Sequence, residues 1–253
     1  MTTEETSQIN REPYTDLALA YDYILRHVDY QGWYDYIKKV MHRYCPVKEP
    51  FVVELGCGTG RFGAKFSADN YEIVGIDRSV EMLRVAKSRA FKNFRIFCGD
   101  IANLAMKRRG DFIFSVHDTM NYFTTPEELA EAIASVKATM HRDSIFMFDI
   151  TTAYNIEANF HEVTNCYEVR GRTVEWTNRF HYRKKEVIST LRFYNDDGTY
   201  TEENHFQRIY SVGRVKKILK KQGLEVLAIY GDYTFEAPKS DTVMINFITR
   251  IAQ

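Results

Sequence analysis

Short apolar runs alternate with segments of helical periodicity between residues 46 and 154. The apolar runs have the length of buried strands, and helices begin after them at signals such as the Ser79 cap and the capping box Thr125-Pro126-Glu127-Glu128. The predicted strands are Phe51–Leu55, Glu72–Ile76, Phe94–Cys98, Asp111–Val116 and Ser144–Phe148. This alternation predicts a doubly wound α/β sheet that binds its ligand at the carboxyl ends of the strands.

The pattern changes after residue 154 to alternating polar and apolar positions interrupted by turn signals. Four strands are predicted in this segment: Val163–Arg170, Thr173–Tyr182, Val187–Tyr194 and Thr199–Ile209. Residues 155–209 are therefore expected to form an antiparallel insertion over the main sheet. The α/β pattern resumes with a helix from Ser211 to Gly223 and a closing hairpin of strands Leu224–Tyr230 and Val243–Ile251.

The N-terminal 45 residues carry a third pattern. A disordered start is followed by a helical stretch after Pro13, with apolar residues through Val28, and by a helix from Trp33 to Tyr44 that ends near Cys45. Both helices precede the first predicted strand, so they lie outside the α/β alternation.

Charge and composition disfavour two classes of protein, those that bind nucleic acid and those that span a membrane. The 253 residues contain 34 basic and 34 acidic side chains, which is not the charge balance of a nucleic-acid-binding protein. No apolar stretch approaches the roughly 18 residues of a membrane span. The polar N-terminus and four cysteines without metal-type spacing predict a cytoplasmic protein with reduced thiols and no metal. The sequence leaves open whether it is a monomer or a homodimer.

Three glycines on alternate positions follow the first predicted strand. Gly56, Gly58 and Gly60 come directly after the acidic Glu54 and Leu55, and a helix is expected to begin near Thr59. Glycine permits close approach of the backbone to a ligand and tolerates positive φ. The free N–H groups of the helix would face the same turn.

The spacing in this turn separates the possible ligands. A dinucleotide fingerprint places its third glycine where this chain has Arg61, and the Gly-Lys-Ser/Thr ending of a P-loop is absent. An acid at Glu54 would repel a pyrophosphate but suits a ligand with an ammonium group, such as S-adenosylmethionine. A turn without any ligand is the alternative.

Two more acids end the next two predicted strands. Asp77 is placed to accept hydrogen bonds from both hydroxyls of a ribose, although an acid there also favours a helix N-terminus. Asp100 suits the exocyclic amine of an adenine, with the Ile101 N–H nearby, or is simple turn chemistry. Three acids in order on three successive strand ends indicate a nucleoside-containing ligand more strongly than any one of them.

Four segments together resemble the class I S-adenosylmethionine-dependent methyltransferases, in a bacterial small-molecule subgroup that includes glycine-type and amino-sugar N-methyltransferases. They are Glu54-Leu-Gly-Cys-Gly-Thr-Gly60, Asp77-Arg-Ser-Val-Glu-Met-Leu83, Gly99-Asp-Ile101 and His117-Asp-Thr-Met-Asn-Tyr122. The resemblance covers nearly the whole chain. It implies a seven-stranded Rossmann-like sheet with a substrate-side β-subdomain at 155–209, an α/β domain at 46–154 and 210–253, and an N-terminal helical lid at 1–45.

The resemblance also implies the cofactor S-adenosylmethionine, with S-adenosylhomocysteine as product. The implied cofactor-binding residues are Tyr21, Glu54, Gly56, Cys57, Gly58, Thr59, Gly60, Asp77, Arg78, Met82, Gly99, Asp100, Ile101 and Val116. The absence of Asn-Pro-Pro-Tyr after strand four favours a small-molecule acceptor over nucleic acid.

Methyl transfer from a sulfonium requires alignment and exclusion of water more than it requires a strong base. His117 is the expected general base for an amine acceptor, titrating near neutrality, or else a strand-end histidine bonded to backbone. Asp118 either holds a cationic acceptor or caps the next turn, and Tyr14 is a third candidate beside the methyl group. His181 and His205 lie on predicted insertion strands from which they can face the pocket.

The leading hypothesis is an enzyme that methylates N or O of a small molecule. The alternative is a non-catalytic S-adenosylmethionine-binding sensor or scaffold, which would bind the cofactor without turnover. A dinucleotide oxidoreductase is disfavoured by Arg61 and Glu54.

Overall fold

A computed structural model describes residues 8–253, which fold as two sheets with helices packed around the larger one. The strands are β1 (Gln8–Arg11), β2 (Val52–Leu55), β3 (Ile73–Asp77), β4 (Phe94–Cys98), β5 (Gly110–Ser115), β6 (Met140–Thr151), β7 (Thr164–Val169), β8 (Arg172–His181), β9 (Glu186–Tyr194), β10 (Tyr200–Arg208), β11 (Leu224–Gly231) and β12 (Met244–Ile251). The helices are α1 (Leu17–Ile24), α2 (Tyr30–Tyr44), α3 (Arg61–Ala68), α4 (Val80–Ala86), α5 (Pro126–Ala138), α6 (Ala153–Asn159) and α7 (Val212–Lys221).

The larger sheet has seven strands in the order β11-β12-β6-β5-β2-β3-β4. The pairs from β6 to β4 are parallel, and β12 is antiparallel to both of its neighbours. The order reverses between β2 and β5, where the chain leaves the sheet in opposite directions. In such open α/β sheets, the ligand crevice lies outside the carboxyl ends of the strands at this switch point. The predicted Rossmann-like fold is confirmed.

Two apolar layers cover the faces of this sheet. One joins α5 and α7 to Phe146, Phe148 and Phe247, and the other joins α2 and α3 to Phe112 and Phe114. All five phenylalanines are fully buried. Strands buried on both faces read as continuous apolar runs, which is why the central strands were predictable.

The smaller sheet has five strands in the order β1-β10-β9-β8-β7 and does not extend the larger sheet. Strands β7 to β10 form an antiparallel meander, as expected from the alternating pattern. Strand β1 is parallel to β10, with Gln8 opposite Tyr200. The predicted disordered start is thus wrong for Gln8–Arg11, because the exposed edge of β10 supplies the pairing that this polar segment lacks locally. The remainder of that start, residues 1–7, lies outside the described residues.

Three elements differ clearly from the sequence prediction, two in where they begin and one because it was not predicted. Helix α2 begins at Tyr30 because the Asp29 side chain accepts a hydrogen bond from the Gly32 N–H, one turn before the predicted start. Strand β6 begins at Met140, four residues before the predicted start at Ser144. The unpredicted α6 starts where the Thr152 side chain caps it, so the insertion begins with a helical turn.

The two N-terminal helices pack against different sheets. Helix α1 buries Leu17, Ala20 and Ile24 against the five-stranded sheet, whereas α2 buries its apolar stripe in the core of the seven-stranded sheet. Helix α1 therefore belongs to the core of the smaller sheet, and α2 to the core of the larger one. Within residues 8–253, none of the helices combines the length and the apolar character that a membrane crossing needs.

Candidate functional site

A pocket of about 380 Å³ opens at the carboxyl ends of β2, β3, β4 and β5. Its volume lies within the usual range of small-ligand sites, about 300–1,000 Å³. The predicted site residues that line it are Tyr14, Tyr21, Glu54, Gly56, Cys57, Gly58, Thr59, Asp77, Arg78, Met82, Gly99, Asp100, Ile101, Val116 and His117. The topology thus brings together residues that are more than 100 positions apart.

Two predicted residues do not line this pocket. Gly60 has a φ of 77°, and a Cβ there would lie 3.0 Å from the Phe94 ring, so the glycine lets helix α3 approach β4. Asp118 points away from the pocket toward Gln207, whose Nε2 donates to Asp118 Oδ2 at 2.7 Å. Gly60 thus packs against Phe94 on the side of the turn away from the pocket, and Asp118 faces the five-stranded sheet.

The glycine turn leaves space for a ligand at its centre. Gly58 has a φ of 52°, and a Cβ there would meet only Met82 Cε, at 3.3 Å. A Cβ on Gly56 would instead collide with Thr119, at 2.5 Å. Gly58 is therefore the position at which a side chain would fill the pocket, whereas Gly56 is needed for the packing of the turn against the 119–122 segment.

Glu54 presents an unpaired carboxylate oxygen at the pocket. The side chain is only 2% exposed, and its Oε2 has no hydrogen-bond partner among the described residues. Burial raises the pKa of Glu54 well above its usual value. A buried acceptor without a partner is costly, so it marks a position where a ligand donor fits. The ammonium group of S-adenosylmethionine is such a donor.

Asp77 holds the glycine turn and the start of α4 at the same time. Its Oδ2 accepts from the Gly58 N–H at 2.8 Å, and its Oδ1 accepts from the Ser79 N–H at 2.8 Å. Each oxygen keeps a second lone pair for a ligand hydroxyl. The helix-terminus role and a ligand role are thus compatible in this geometry.

Asp100 is exposed at the far end of the pocket. Its Oδ1 accepts from the Ala102 N–H at 2.9 Å and so starts the 3₁₀ turn Ile101–Asn103. The turn role anticipated for Gly-Asp is present, and Ile101 is buried against the core.

His117 lies at the pocket wall in a left-handed backbone conformation, with φ of 63°. Its Nδ1 is 3.1 Å from Tyr21 Oη, and its ring stands edge-to-face against Trp33, with centroids 5.3 Å apart. Burial, with a smaller contribution from His27, lowers the pKa of His117 to about 4. The expectation that His117 titrates near neutrality is therefore wrong. The imidazole is neutral at physiological pH and is a weak base.

A buried carboxylate from β6 holds this strained loop. Asp149 is fully buried, its Oδ2 accepts from the His117 N–H at 2.8 Å, and its Oδ1 accepts from the Asp118 N–H at 2.7 Å. The Tyr233 hydroxyl donates to the same carboxylate. Left-handed non-glycine residues persist only where their surroundings hold them, and here a single side chain holds two in succession.

The two interpretations of Asp118 are now distinguishable in part. Asp118 precedes the 3₁₀ turn Thr119–Tyr122, but its side chain makes no capping hydrogen bond to that turn. Burial, and then the charge of Asp149, raises the pKa of Asp118 to about 7. The capping alternative therefore lacks its hydrogen bond, and Asp118 is a carboxyl group that is partly protonated at neutral pH.

Three tyrosines form the wall opposite the glycine turn. Tyr14 Oη donates to Tyr122 Oη at 2.5 Å, and the ring of Tyr14 is edge-on to Tyr21, with centroids 6.2 Å apart. Burial raises the pKa of Tyr14, Tyr21 and Tyr122 well above the usual value. All three phenols therefore stay protonated, which leaves them as hydrogen-bonding groups and not as bases.

A charge network ties α1 to the glycine turn. Asp22 of α1 accepts from Thr59 Oγ1 at 2.8 Å and from Arg89 at 2.7 Å, and Arg89 also donates to the Thr59 carbonyl. Arg61 stacks over the Tyr30 ring at 3.8 Å. Neither arginine was predicted as part of the site, although Arg61 directly follows the glycine motif.

The sequence prediction missed several residues of the site. Those that line the pocket include Tyr30, Arg61, Phe62, Thr119 and Tyr122. Two of the missed residues carried a signal in the sequence. Tyr122 lies in the segment 117–122 that carries the family resemblance, and Asp149 directly follows a predicted strand, as Asp77 does. The sequence contained no comparable signal for Glu203 of β10. His205, which was expected to be able to face the pocket, does not line it but contacts Tyr122 of the pocket wall. His181 is exposed and does not face the pocket.

The described residues 8–253 contain no group of three or more His, Cys, Asp or Glu side chains arranged to hold a metal ion. The pocket has four features that bear on its ligand. They are a doubly wound sheet, a glycine turn with open space, an unpaired Glu54 oxygen and an acid at the end of β3. These features fit S-adenosylmethionine, whose ammonium and ribose hydroxyls are donors, better than a pyrophosphate.

Comparisons with known proteins agree with this fit. Residues 52–143 match a family described as Methyltransferase domain. The chain is 23% identical over 244 residues to a Geobacillus sp. (strain WCH70) protein named "Putative methyltransferase", which covers 94% of this chain and 99% of that protein. It also resembles the crystal structure of a S-adenosylmethionine-dependent methyltransferase from Clostridium acetobutylicum ATCC 824, with 26% identity, a TM-score of 0.80, and coverage of 95% and 99%.

A sugar N-methyltransferase from Streptoalloteichus sp ATCC 53650 shares the fold, with a TM-score of 0.74 at 15% identity over 92% of each chain. The fold and the site define a nucleoside-binding α/β enzyme of the methyltransferase type. The chain is a class I S-adenosylmethionine-dependent methyltransferase, and S-adenosylmethionine is its cofactor.

Proposed function

We propose that the enzyme transfers the methyl group to the nitrogen of a small-molecule amine that enters beside His117. The observation that carries this proposal is the low pKa of the buried His117, about 4. Bound S-adenosylmethionine supplies an electrophilic methyl group. An alcohol oxygen would need a strong base to become a good nucleophile, and a neutral imidazole of this basicity is not one. An amine that arrives unprotonated already has its lone pair.

The residues around His117 would then act by alignment. The His117 ring is fixed by Tyr21 and by Trp33, and its backbone is fixed by Asp149. The phenol groups of Tyr14 and Tyr122 offer hydrogen bonds on the opposite side. Holding a nucleophile in line with the transferred group, with water excluded, accounts for a large part of the barrier reduction in such reactions.

For the cofactor, we propose that Glu54 binds the ammonium group, Asp77 binds the ribose hydroxyls, and Asp100 with Ile101 binds the adenine. The glycine turn would approach the cofactor at Gly58. The free Oε2 of Glu54 and the open space at Gly58 support these assignments.

We further propose that the five-stranded sheet, with residues 155–209, covers the acceptor site and that the N-terminal segment 1–45 closes over the cofactor. The α/β domain would comprise 46–154 and 210–253. The support for a lid is that α1 contacts both the glycine turn, through Asp22, and the five-stranded sheet, through Leu17 and Ile24.

A direct test incubates the protein with methyl-labelled cofactor and separate pools of amines, hydroxy acids and amino sugars. We expect labelled product in the amine or amino-sugar pools, formed together with S-adenosylhomocysteine. Label found only in the hydroxy-acid pool would contradict methylation of nitrogen. His117→Ala should lower turnover through lost alignment of the amine with the methyl group, and leave cofactor affinity unchanged. His181→Ala, on an exposed strand position, is the matched control.

A further inference from the structure

The inner face of β10 is polar along its whole length. Thr201, Glu203, His205 and Gln207 alternate with outward residues and are 7%, 0%, 3% and 8% exposed. Successive side chains on a strand point to opposite faces, so these four share one face. Burying polar groups is costly unless each has a partner. Because β10 buries four polar side chains on one face, each of them is expected to have a specific partner.

Each of the four contacts α1, the segment before it, or the 117–122 loop. Thr201 Oγ1 donates to Asp16 Oδ2 at 2.8 Å, and Gln207 Nε2 donates to Asp118 Oδ2 at 2.7 Å. Between them, Glu203 contacts Tyr14 and His205 contacts Tyr122, two of the three tyrosines of the pocket wall. The polar face of β10 is thus directed at residues that flank the acceptor side of the pocket.

Glu203 fixes the backbone that carries Tyr14. Its Oε2 accepts from the Tyr14 N–H at 2.9 Å, and its Oε1 accepts from the N–H groups of Leu17, at 3.1 Å, and Asp16. Tyr14 has a left-handed backbone, with φ of 65°, which is uncommon for a non-glycine residue. A fully buried carboxylate therefore holds Tyr14 in a conformation that its own preferences disfavour.

His205 continues this contact to the pocket. Its Nε2 is 3.2 Å from Glu203 Oε2, and its Nδ1 is 3.0 Å from Tyr122 Oη. A carboxylate can only accept, so Nε2 carries the proton. In the neutral imidazole, Nδ1 then accepts from the Tyr122 hydroxyl. Tyr122 Oη in turn accepts from Tyr14, and the Tyr14 oxygen, whose proton is committed, presents free lone pairs at the pocket.

We propose that Glu203 and His205 are positioning residues that orient the hydroxyls of Tyr122 and Tyr14, so that Tyr14 Oη accepts a hydrogen bond from the N–H of the acceptor amine. The proposal rests on the proposed function for the identity of the acceptor. The direction of the hydrogen bonds requires the carboxylate at one end of the chain and a neutral imidazole at His205. An acceptor without a hydrogen-bond donor at the methylated nitrogen would leave the Tyr14 oxygen unpaired and would be discriminated against.

The hydrogen-bond direction is testable without any acceptor, by ¹⁵N NMR of histidine-labelled protein loaded with S-adenosylhomocysteine. The His205→Asn variant assigns the His205 signals by their loss, and exposed His181 serves as the reference. We expect a neutral His205 with its proton on Nε2. A proton on Nδ1, or on both nitrogens, would reverse the hydrogen bond to Tyr122 and overturn the proposal.

The positioning role is tested with the amine that the screen shows to be methylated fastest. His205→Asn keeps an acceptor near the Nδ1 position, whereas His205→Ala removes it. We expect kcat/KM for the amine to fall about tenfold in His205→Ala, to be largely retained in His205→Asn, and cofactor Kd to stay unchanged in both. His181→Ala is the matched control. Equal losses in the two His205 variants, or a parallel loss of cofactor binding, would reduce His205 to a structural residue.

The two proposals fail separately. If His205 carries its proton on Nε2 but no amine is methylated, the proposed function fails and the hydrogen-bond arrangement stands. If amines are methylated and the NMR result is reversed, the function stands and the positioning role of Glu203 and His205 is wrong.

Discussion

The two sheets use burial for different purposes. The seven-stranded sheet buries phenylalanines, such as Phe112 and Phe148, on both faces. Its acids Glu54, Asp77 and Asp149 lie within two residues of the carboxyl ends of their strands. The five-stranded sheet buries a polar face on β10 instead, and that face contacts the loop and the helix beside the pocket. The first sheet is stabilised mainly by apolar area, whereas the second depends on each polar group finding a partner.

The two sheets therefore have different roles: the larger one is rigid, and the smaller one makes directional contacts beside the pocket. A close-packed apolar layer fixes where the strand ends lie, and the cofactor residues depend on those positions. The polar face of β10 makes directional contacts, which set hydroxyl orientations and the conformation of the segment before α1. Substitutions in the two sheets should therefore have different consequences, and four experiments test this, beginning with the largest expected effect.

Gly58→Val is expected to abolish cofactor binding, because the side chain enters the pocket and resists the φ of 52°. Gly198→Val is the matched control, since Gly198 also has a positive φ, 81°, but lies in the β9–β10 hairpin with open space around it. The control should lose only about 1–2 kcal/mol of stability from backbone strain. Calorimetric titration with S-adenosylhomocysteine measures the difference. Normal binding by folded Gly58→Val would show that the turn is not the cofactor site.

Phe148→Ala should lower the free energy of unfolding by about 3–5 kcal/mol, the usual cost of a large cavity in an apolar core. On β10, Thr201→Val keeps the shape but removes the hydroxyl that donates to Asp16. We expect Thr201→Val to lose about 1.5–3 kcal/mol of stability, the range for a hydrogen bond to a charged group. This loss is smaller than the loss expected for Phe148→Ala. Denaturant titration of both variants compares the sheets. A larger loss for Thr201→Val would reverse the comparison.

Asp77→Ala should weaken cofactor binding by about 1.5–3 kcal/mol through lost hydrogen bonds to a charged group. Because Asp77 also holds the Gly58 and Ser79 N–H groups, Asp77→Asn is the more informative variant. It keeps one acceptor oxygen and should have an intermediate effect. Asp197→Asn, an exposed hairpin position, is the control. Unchanged affinity in folded Asp77→Ala would exclude the ribose assignment.

The smallest expected effect concerns pH. The pKa of Asp118 is raised to about 7, so the folded state holds this proton more tightly than the unfolded chain does. The stability that Asp118 contributes is present below its ordinary pKa and is lost as pH rises toward 7. Asp118→Asn, which keeps an oxygen for Gln207, should therefore become progressively more stable relative to the parent protein as pH rises from 4 to 8. Urea titrations across that range test it, and parallel curves for the two proteins would contradict the raised pKa.

His117 would have the opposite pH dependence. Its pKa is lowered to about 4, so its contribution to stability is present above the ordinary histidine value and is lost as pH falls below that value. The pH studies of Asp118→Asn should for this reason use the parent protein at every pH as the reference.

Much of the pocket lining at the carboxyl ends of β2, β3 and β4 was predictable because its signals are local. Glu54, the three glycines, Asp77 and Asp100 each follow an apolar run directly, and parallel strands bring their carboxyl ends to one edge. Asp149 follows a predicted strand in the same way and was overlooked. The starts of α2 at Tyr30 and of β6 at Met140 were also predicted wrongly. Helix α2 begins earlier because the Asp29 side chain caps it, and β6 extends beyond its apolar run.

The acceptor side was not predictable in the same way. The sequence determined which runs form the two sheets, since the apolar periodicity of a segment depends only on its own residues. It also placed the glycine turn of residues 56–60 at the end of β2, since a glycine-rich segment after a buried strand has few alternatives. The tertiary structure alone decided that β1 joins β10, that burial makes His117 a weak base, and that Glu203 and His205 stand behind Tyr14 and Tyr122. These properties depend on desolvation and on contacts between residues about 80 to 190 positions apart, which no local pattern encodes.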